Sequence, residues 1–374
     1  MEIQGLCDDR FEPVREAFLA NFAEAGDVGA SFAVTVEGEF VVDIWAGYRD
    51  AARTLPWERD TLVNVYSTTK TMTALCALLL ADRGELDFNA PVARYWPEFA
   101  QNGKEAIEVR HLMSHSAGLS GVEGGATPEL YCDWDAMCER LEKQAPWWEP
   151  GSQSGYHAIT QGYLVGEVVR RITGRSLGTF FREELAEPLG ADFHIGVSPS
   201  DFDRIAELVP PSVNPSDARL PPGSVAARTL VGLDASFSST EAWRRAEIPA
   251  ANGHGNARSV VRVQTLLANG GSAFGRTLMS PAGCARVMEE QTSGKDLVLG
   301  APLRFGLGYG LNGDVIPLGP NANTCYWGGW GGSTIVVDQD AHVCFSYVMN
   351  RMGEGALGDR RGFSLATAVF ESLA

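Results

Sequence analysis

Tyr66-Ser67-Thr68-Thr69-Lys70 opens directly onto the longest apolar stretch of the chain, Met72 to Ala81. Good helix formers run from Ser67 to Arg83, and Gly84 supplies a C-terminal stop, so the spacing predicts a helix over 67–83. Residues at i and i+3 share a helix face, which lets Ser67 Oγ and Lys70 Nζ converge. A serine at a helix start also sits at the positive end of the dipole, where an alkoxide is favoured. The hydroxyl needs an adjacent base to become a nucleophile. Lysine serves as one only if its pKa falls roughly 3 units from about 10.4. Met72, Leu75 and Leu79, on neighbouring turns, offer the dry surroundings that would push it down. The chain holds only four lysines (Lys70, Lys104, Lys143, Lys295) against 26 arginines. Where Arg serves as the ordinary cation, a retained Lys points to what Arg cannot do, which is to lose its proton.

Taken alone, the same five residues also describe a capped helix with a solvated lysine. Two further segments tip the balance. Tyr156-His157-Ala158 follows the turn Pro150-Gly151. A tyrosine there can share a proton with Lys70 and protonate a leaving group, although a lone Tyr is more often a packing residue. Trp327-Gly328-Gly329-Trp330-Gly331-Gly332-Ser333 leads into a β-rich run. Its glycines permit close backbone approach to a substrate, or to another element packed over an edge strand. The Trp330 amide can join that of Ser67 as an oxyanion hole.

Outward from these motifs, Phe11–Ala25 reads as an amphipathic helix. Ser31–Val36 and Phe40–Ala46 read as strands joined by the hairpin Glu37-Gly38-Glu39. Helices are expected at Ile159–Thr173, Ser176–Leu185, Ser259–Ala268 and Gly362–Leu373. Leu303–Leu311 looks extended and glycine-rich, and Ser333–Asp338 pairs with His342–Met349. Strands thus gather at both ends of the chain. An α/β fold of α+β type is expected: an antiparallel sheet built from 1–84 and 258–374, flanked by helices, with a mainly helical domain of 85–257 inserted and the active site between them.

The three motifs, in this order, resemble the serine β-lactamase and penicillin-binding superfamily. More closely, the chain is similar to the class C β-lactamase-like esterases, called family VIII carboxylesterases. The similarity also takes in His111-Leu112-Met113-Ser114-His115-Ser116-Ala117-Gly118-Leu119 and Phe305-Gly306-Leu307-Gly308-Tyr309. It implies that Ser67 is acylated, that Lys70 and Tyr156 act as base and acid, and that Trp330 completes the oxyanion hole. Two departures stand out. Lactamases carry Lys-Thr-Gly where this chain has Trp327-Gly328-Gly329, and Asn where it has Ala158. Losing both polar groups favours neutral, apolar esters over carboxylate-bearing amides. Substrate contacts are therefore expected at Trp327, Gly328, Gly329 and His254. A lactamase, amide hydrolase or acyltransferase on the same scaffold, or a catalytically silent binding protein, are the competing readings.

The net charge of −17 argues against nucleic acid or an anionic membrane as partner. The N-terminus shows no basic region followed by an apolar core, and Met72–Ala81 is half the length of a membrane span. Seven scattered cysteines without C-x-x-C spacing read as reduced thiols, so a cytoplasmic enzyme acting on a small-molecule ester is expected, with no cofactor and no metal. Gly308-x-Gly310-x-x-Gly313 precedes Asp314-Val315-Ile316-Pro317 instead of a helix and fails as a dinucleotide site. His111 and His115 lack the third ligand of a zinc centre. His254, between Gly253 and Gly255, reads as a loop residue that lines the pocket or merely packs.

Overall fold

A computed structural model describes residues 1–211 and 220–374. Among them, nine strands form one antiparallel sheet: β1 (Gln4–Cys7), β2 (Gly29–Val36), β3 (Glu39–Gly47), β4 (Thr292–Lys295), β5 (Pro302–Phe305), β6 (Gly310–Leu311), β7 (Thr324–Gly328), β8 (Thr334–Asp338) and β9 (Val343–Met349). Their order is β1-β3-β2-β9-β8-β7-β6-β5-β4, so strands from the two ends of the sequence meet at β2 and β9. The β2–β3 hairpin turns through Glu37 and Gly38, both at positive φ (50° and 86°), as a tight hairpin turn requires.

Alternation along β2 sends Phe32 and Val34 to one face and Ala33 to the other. On the first face the helices Glu12–Glu24 and Arg360–Leu373 pack together over Phe18, Val336, Phe345, Leu365 and Val369. The helix Ala257–Ala268 lies on the second face, across β2 and β9. The helix Thr69–Asp82 is buried nearly throughout and packs against Thr160–Thr173 and Leu177–Phe181 from the middle of the chain.

Several expectations need correction. The residues 67–83 do not form one continuous helix. Tyr66–Thr68 is a separate 3₁₀ turn, and Thr68, in the cap position of the following helix, makes no side-chain capping bond. The stretch 303–311 is not continuously extended, because Gly306–Tyr309 turns between β5 and β6 with Gly308 at φ 87°. The helix expected to end at Leu185 passes through a π turn, Arg182–Ala186, before closing at Leu189. His254 lies in no loop: Gly253–Gly255 is a strand paired with Val63–Asn64 and His194–Ile195.

Candidate active site

Tyr66 sits at φ +44°, an uncommon value for a non-glycine residue, and the bend turns the chain into the Ser67 position. Ser67 Oγ is 3.0 Å from Lys70 Nζ and accepts a hydrogen bond of 2.6 Å from Tyr156 Oη. Lys70 is fully buried, and its Nζ also donates to the carbonyls of Ala158 (2.7 Å) and Ala250 (2.9 Å). Desolvation drives its pKa well below the usual lysine range, and no carboxylate offsets that effect. As a neutral amine, Nζ would give its two hydrogens to these carbonyls and turn its lone pair to the Ser67 hydroxyl. Burial pushes the Tyr156 hydroxyl upward, so it stays protonated and donates to Ser67.

Each partner is held from behind. Tyr156 donates its amide to Asp296 Oδ1 (3.1 Å), which also receives the amides of Val298 and Leu299 (2.8 Å each). His115, at φ +60°, accepts the Gly155 amide on its carbonyl and the His157 amide on Nδ1, so it brackets Tyr156 on both sides. Lys70 and Thr73, one turn apart, reach the Ala250 and Pro249 carbonyls. That segment approaches Gly162 so closely that a Cβ there would lie 2.5 Å from the Ala250 nitrogen.

Ser67, Tyr156 and Trp330 open onto one cavity of about 360 Å³. Its wall is mostly apolar, with Ile159, Leu230, Phe237, Trp243 and Leu299, and it carries the acidic groups Asp234 and Glu354. Among the described lining residues there is no Lys, Arg or His. Among the described residues, no backbone carbonyl outside its own turn takes the Ser67 or the Trp330 amide.

The residues expected at the substrate fall into two groups. Ser67, Tyr156 and Trp330 line the cavity, with Lys70 directly beneath them. Trp327, Gly328, Gly329 and His254 do not line it. Trp327 is 1% exposed and stacks on His115 at 5.3 Å, with Phe305 and Tyr156 at 5.7 and 5.9 Å, so it supports Tyr156 from below. A Cβ on Gly328 would strike the Leu357 backbone at 2.2 Å, and one on Gly329 the Val65 carbonyl at 2.2 Å. These glycines accommodate protein backbone, not substrate. His254 is buried with Nδ1 2.7 Å from the Asn252 carbonyl, and burial lowers its pKa to about 3. Among the described residues no cluster of three or more potential metal ligands occurs.

Sequence reasoning missed the acceptors Ala158 and Ala250, because a backbone carbonyl leaves no mark on residue type. Asp296 was legible in principle: an Asp whose following amides fold back onto its carboxylate is a local turn signal.

Comparison with known proteins bears on this geometry. A family model described as Beta-lactamase matches residues 16–369. The esterase/beta-lactamase LipL of Mycobacterium tuberculosis is 38% identical over 363 residues, covering 93% of this chain and 83% of that protein. The crystal structure of a family VIII carboxylesterase superposes over the whole of both chains at a TM-score of 0.93 and 43% identity. A penicillin-binding protein homologue from Caulobacter crescentus superposes equally well, at 0.93 and 42% identity, again over both full chains.

Proposed function

The chain belongs to the beta-lactamase family and is a serine hydrolase; from there we propose that it is a carboxylesterase hydrolysing small, mostly neutral esters through an acyl-enzyme on Ser67. One observation carries this: Ser67 Oγ is held between Lys70, whose pKa burial lowers, and a protonated Tyr156 at the edge of an apolar cavity without a cation among its described lining residues.

Lys70 takes the Ser67 proton as Oγ bonds to the ester carbonyl carbon. The charge developing on the carbonyl oxygen meets the amides of Ser67 and Trp330, and Tyr156 protonates the departing alkoxide. The Lys70 ammonium then restores the Tyr156 proton. Water repeats the sequence on the acyl-enzyme, releasing the carboxylic acid. Substrates with a free carboxylate would find no cation among the described lining residues of this cavity to receive it. β-Lactam hydrolysis stands as the second reading, carried by the LipL relative named for both activities. The seven free cysteines support a reducing, cytoplasmic setting.

A fluorophosphonate probe followed by intact and peptide mass should label Ser67. Nitrophenyl esters of increasing acyl length, run beside nitrocefin, should give kcat/KM values favouring the esters. Absence of labelling with equal or better nitrocefin turnover would overturn the esterase reading.

A further inference from the structure

A buried hydroxyl, that of Ser333, hydrogen-bonds the loop that carries Trp330 to the turn that carries Ser67. Ser333 Oγ donates to the Val65 carbonyl at 2.8 Å and lies 2.9 Å from Thr68 Oγ1. Its single hydrogen is committed to Val65, so Thr68 is the donor in the second bond. The hydroxyl therefore grips the nucleophile turn on both sides of Ser67, two residues before it and one after. The Ser333 carbonyl simultaneously accepts the Gly329 amide at 2.8 Å, closing the loop that has Trp330 at its tip. Gly329 is pressed so tightly into this joint that a Cβ would stand 2.2 Å from the Val65 oxygen and 2.3 Å from Ser333 Oγ. Ser333 and Thr68 are 1% and 0% exposed, and neither lines the cavity.

We infer that Ser333 is a positioning residue for the oxyanion hole: its hydroxyl fixes the separation between the Ser67 and Trp330 amides. The inference rests on the proposed acyl-enzyme reading. An oxyanion hole works because its donors are already 2.7–3.1 Å from where the charge will appear, without reorganisation during reaction. Here the two donors come from segments 263 residues apart. The Tyr66 and Trp330 rings meet at 5.0 Å, a contact without directional bonds, and the Ser333 hydroxyl adds the hydrogen-bonded bridge between loop and turn. Ser333 touches no substrate, so its removal should leave ground-state binding and the proton-transfer pair intact while loosening transition-state charge stabilisation.

The test uses Ser333→Ala and the near-isosteric Thr68→Val in the full chain, with active sites counted by fluorophosphonate end-point titration. Kinetics on nitrophenyl butyrate are compared with inhibition by phenylboronic acid, whose tetrahedral adduct on Ser67 places an oxygen in the hole. Expected for Ser333→Ala are a fall of about 30-fold or more in kcat per titrated site, KM within about threefold, and a boronate Ki weakened in step with kcat. The pH at which activity half-rises should not move, because Lys70 and Tyr156 are untouched. Thr68→Val should shift kcat and Ki the same way by a smaller factor, and it carries the test should Ser333→Ala fail to fold. Unchanged kcat and Ki in the folded variants would overturn the inference while leaving the esterase reading intact. A loss confined to KM or to the titrated fraction would overturn it as well, by showing a merely structural role. Wild-type enzyme that is neither labelled nor inhibited at Ser67 would instead overturn the reading beneath it.

Discussion

Lys70 Nζ lies 2.7 Å from the carbonyl oxygen of Ala158, two residues beyond Tyr156. One short segment therefore supplies both the hydroxyl that faces Ser67 and an acceptor that aims Lys70 at it. The position is where the lactamase pattern has an asparagine. The alanine keeps the backbone contact to Lys70 and is itself a lining residue of the cavity. An amide side chain that could bind a substrate amide is thus lost without disturbing the base.

Ser67→Ala is expected to abolish fluorophosphonate labelling and to lower kcat on nitrophenyl esters by at least about 10³, because no acyl-enzyme can form. Steady-state kinetics on a preparation free of wild-type carry-over reads this. Near-normal turnover would move the chemistry away from the 3₁₀ turn altogether.

Lys70→Arg is expected to damage acylation nearly as much as Lys70→Ala. The guanidinium keeps a charge but does not surrender its proton at working pH. In the wild type, acylation should rise with pH through the lowered pKa of Lys70 and then level, since only the neutral amine accepts the serine proton. Stopped-flow acylation rates across pH show both effects. An arginine variant with most of the wild-type rate would make position 70 an electrostatic group only.

The same lysine makes stability depend on pH. The unfolded chain binds a proton on Lys70 up to about pH 10.4, and the native state does not, down to the lowered pKa. Between those limits the unfolded state holds more protons, so native stability rises with pH by up to about 1.4 kcal/mol per unit from this group. Lys70→Met removes that slope. Urea unfolding at about pH 7.5 and about pH 9 should show the wild type gaining stability relative to the variant as pH rises. A pH-independent difference would mean that Lys70 is charged in the folded protein.

Much of this arrangement was legible in the sequence, for reasons tied to particular residues. The pairing of β2 with β3 follows from Glu37-Gly38, where a turn residue interrupts two alternating runs. The Ser67–Lys70 convergence follows from spacing alone. What stayed hidden lies in long-range backbone contacts. The carbonyls of Ala158 and Ala250 carry no residue signature, and Ser333 reads as the first residue of a strand until its hydroxyl is seen against Val65. The tryptophan at 327 misled for a related reason. An aromatic next to a glycine run fits a substrate wall and a buried prop equally well, and only the His115 ring beneath it decides between them.

That decision changes what Trp327→Lys should do. If the indole faced the substrate, a lysine would restore the lactamase cation and shift preference toward cephalosporins. In the structure the indole is 1% exposed, stacked on His115 and flanked by Phe305 and Tyr156. Lysine would replace a large aromatic surface with a thin stem and bring a charge into that enclosure. Truncating a buried Trp typically costs about 3–5 kcal/mol, and the lysine stem recovers only part of the lost contact. The variant should therefore lose at least about 2 kcal/mol of stability. It should also slow on nitrophenyl esters and nitrocefin alike, because Tyr156 loses its support, with the ratio of the two kcat/KM values staying within about threefold of wild type. Thermal unfolding and parallel kinetics on both substrates measure this directly. A tenfold shift toward nitrocefin at unchanged melting temperature would show that the side chain at 327 reaches the substrate, and that Tyr156 keeps its position without the indole.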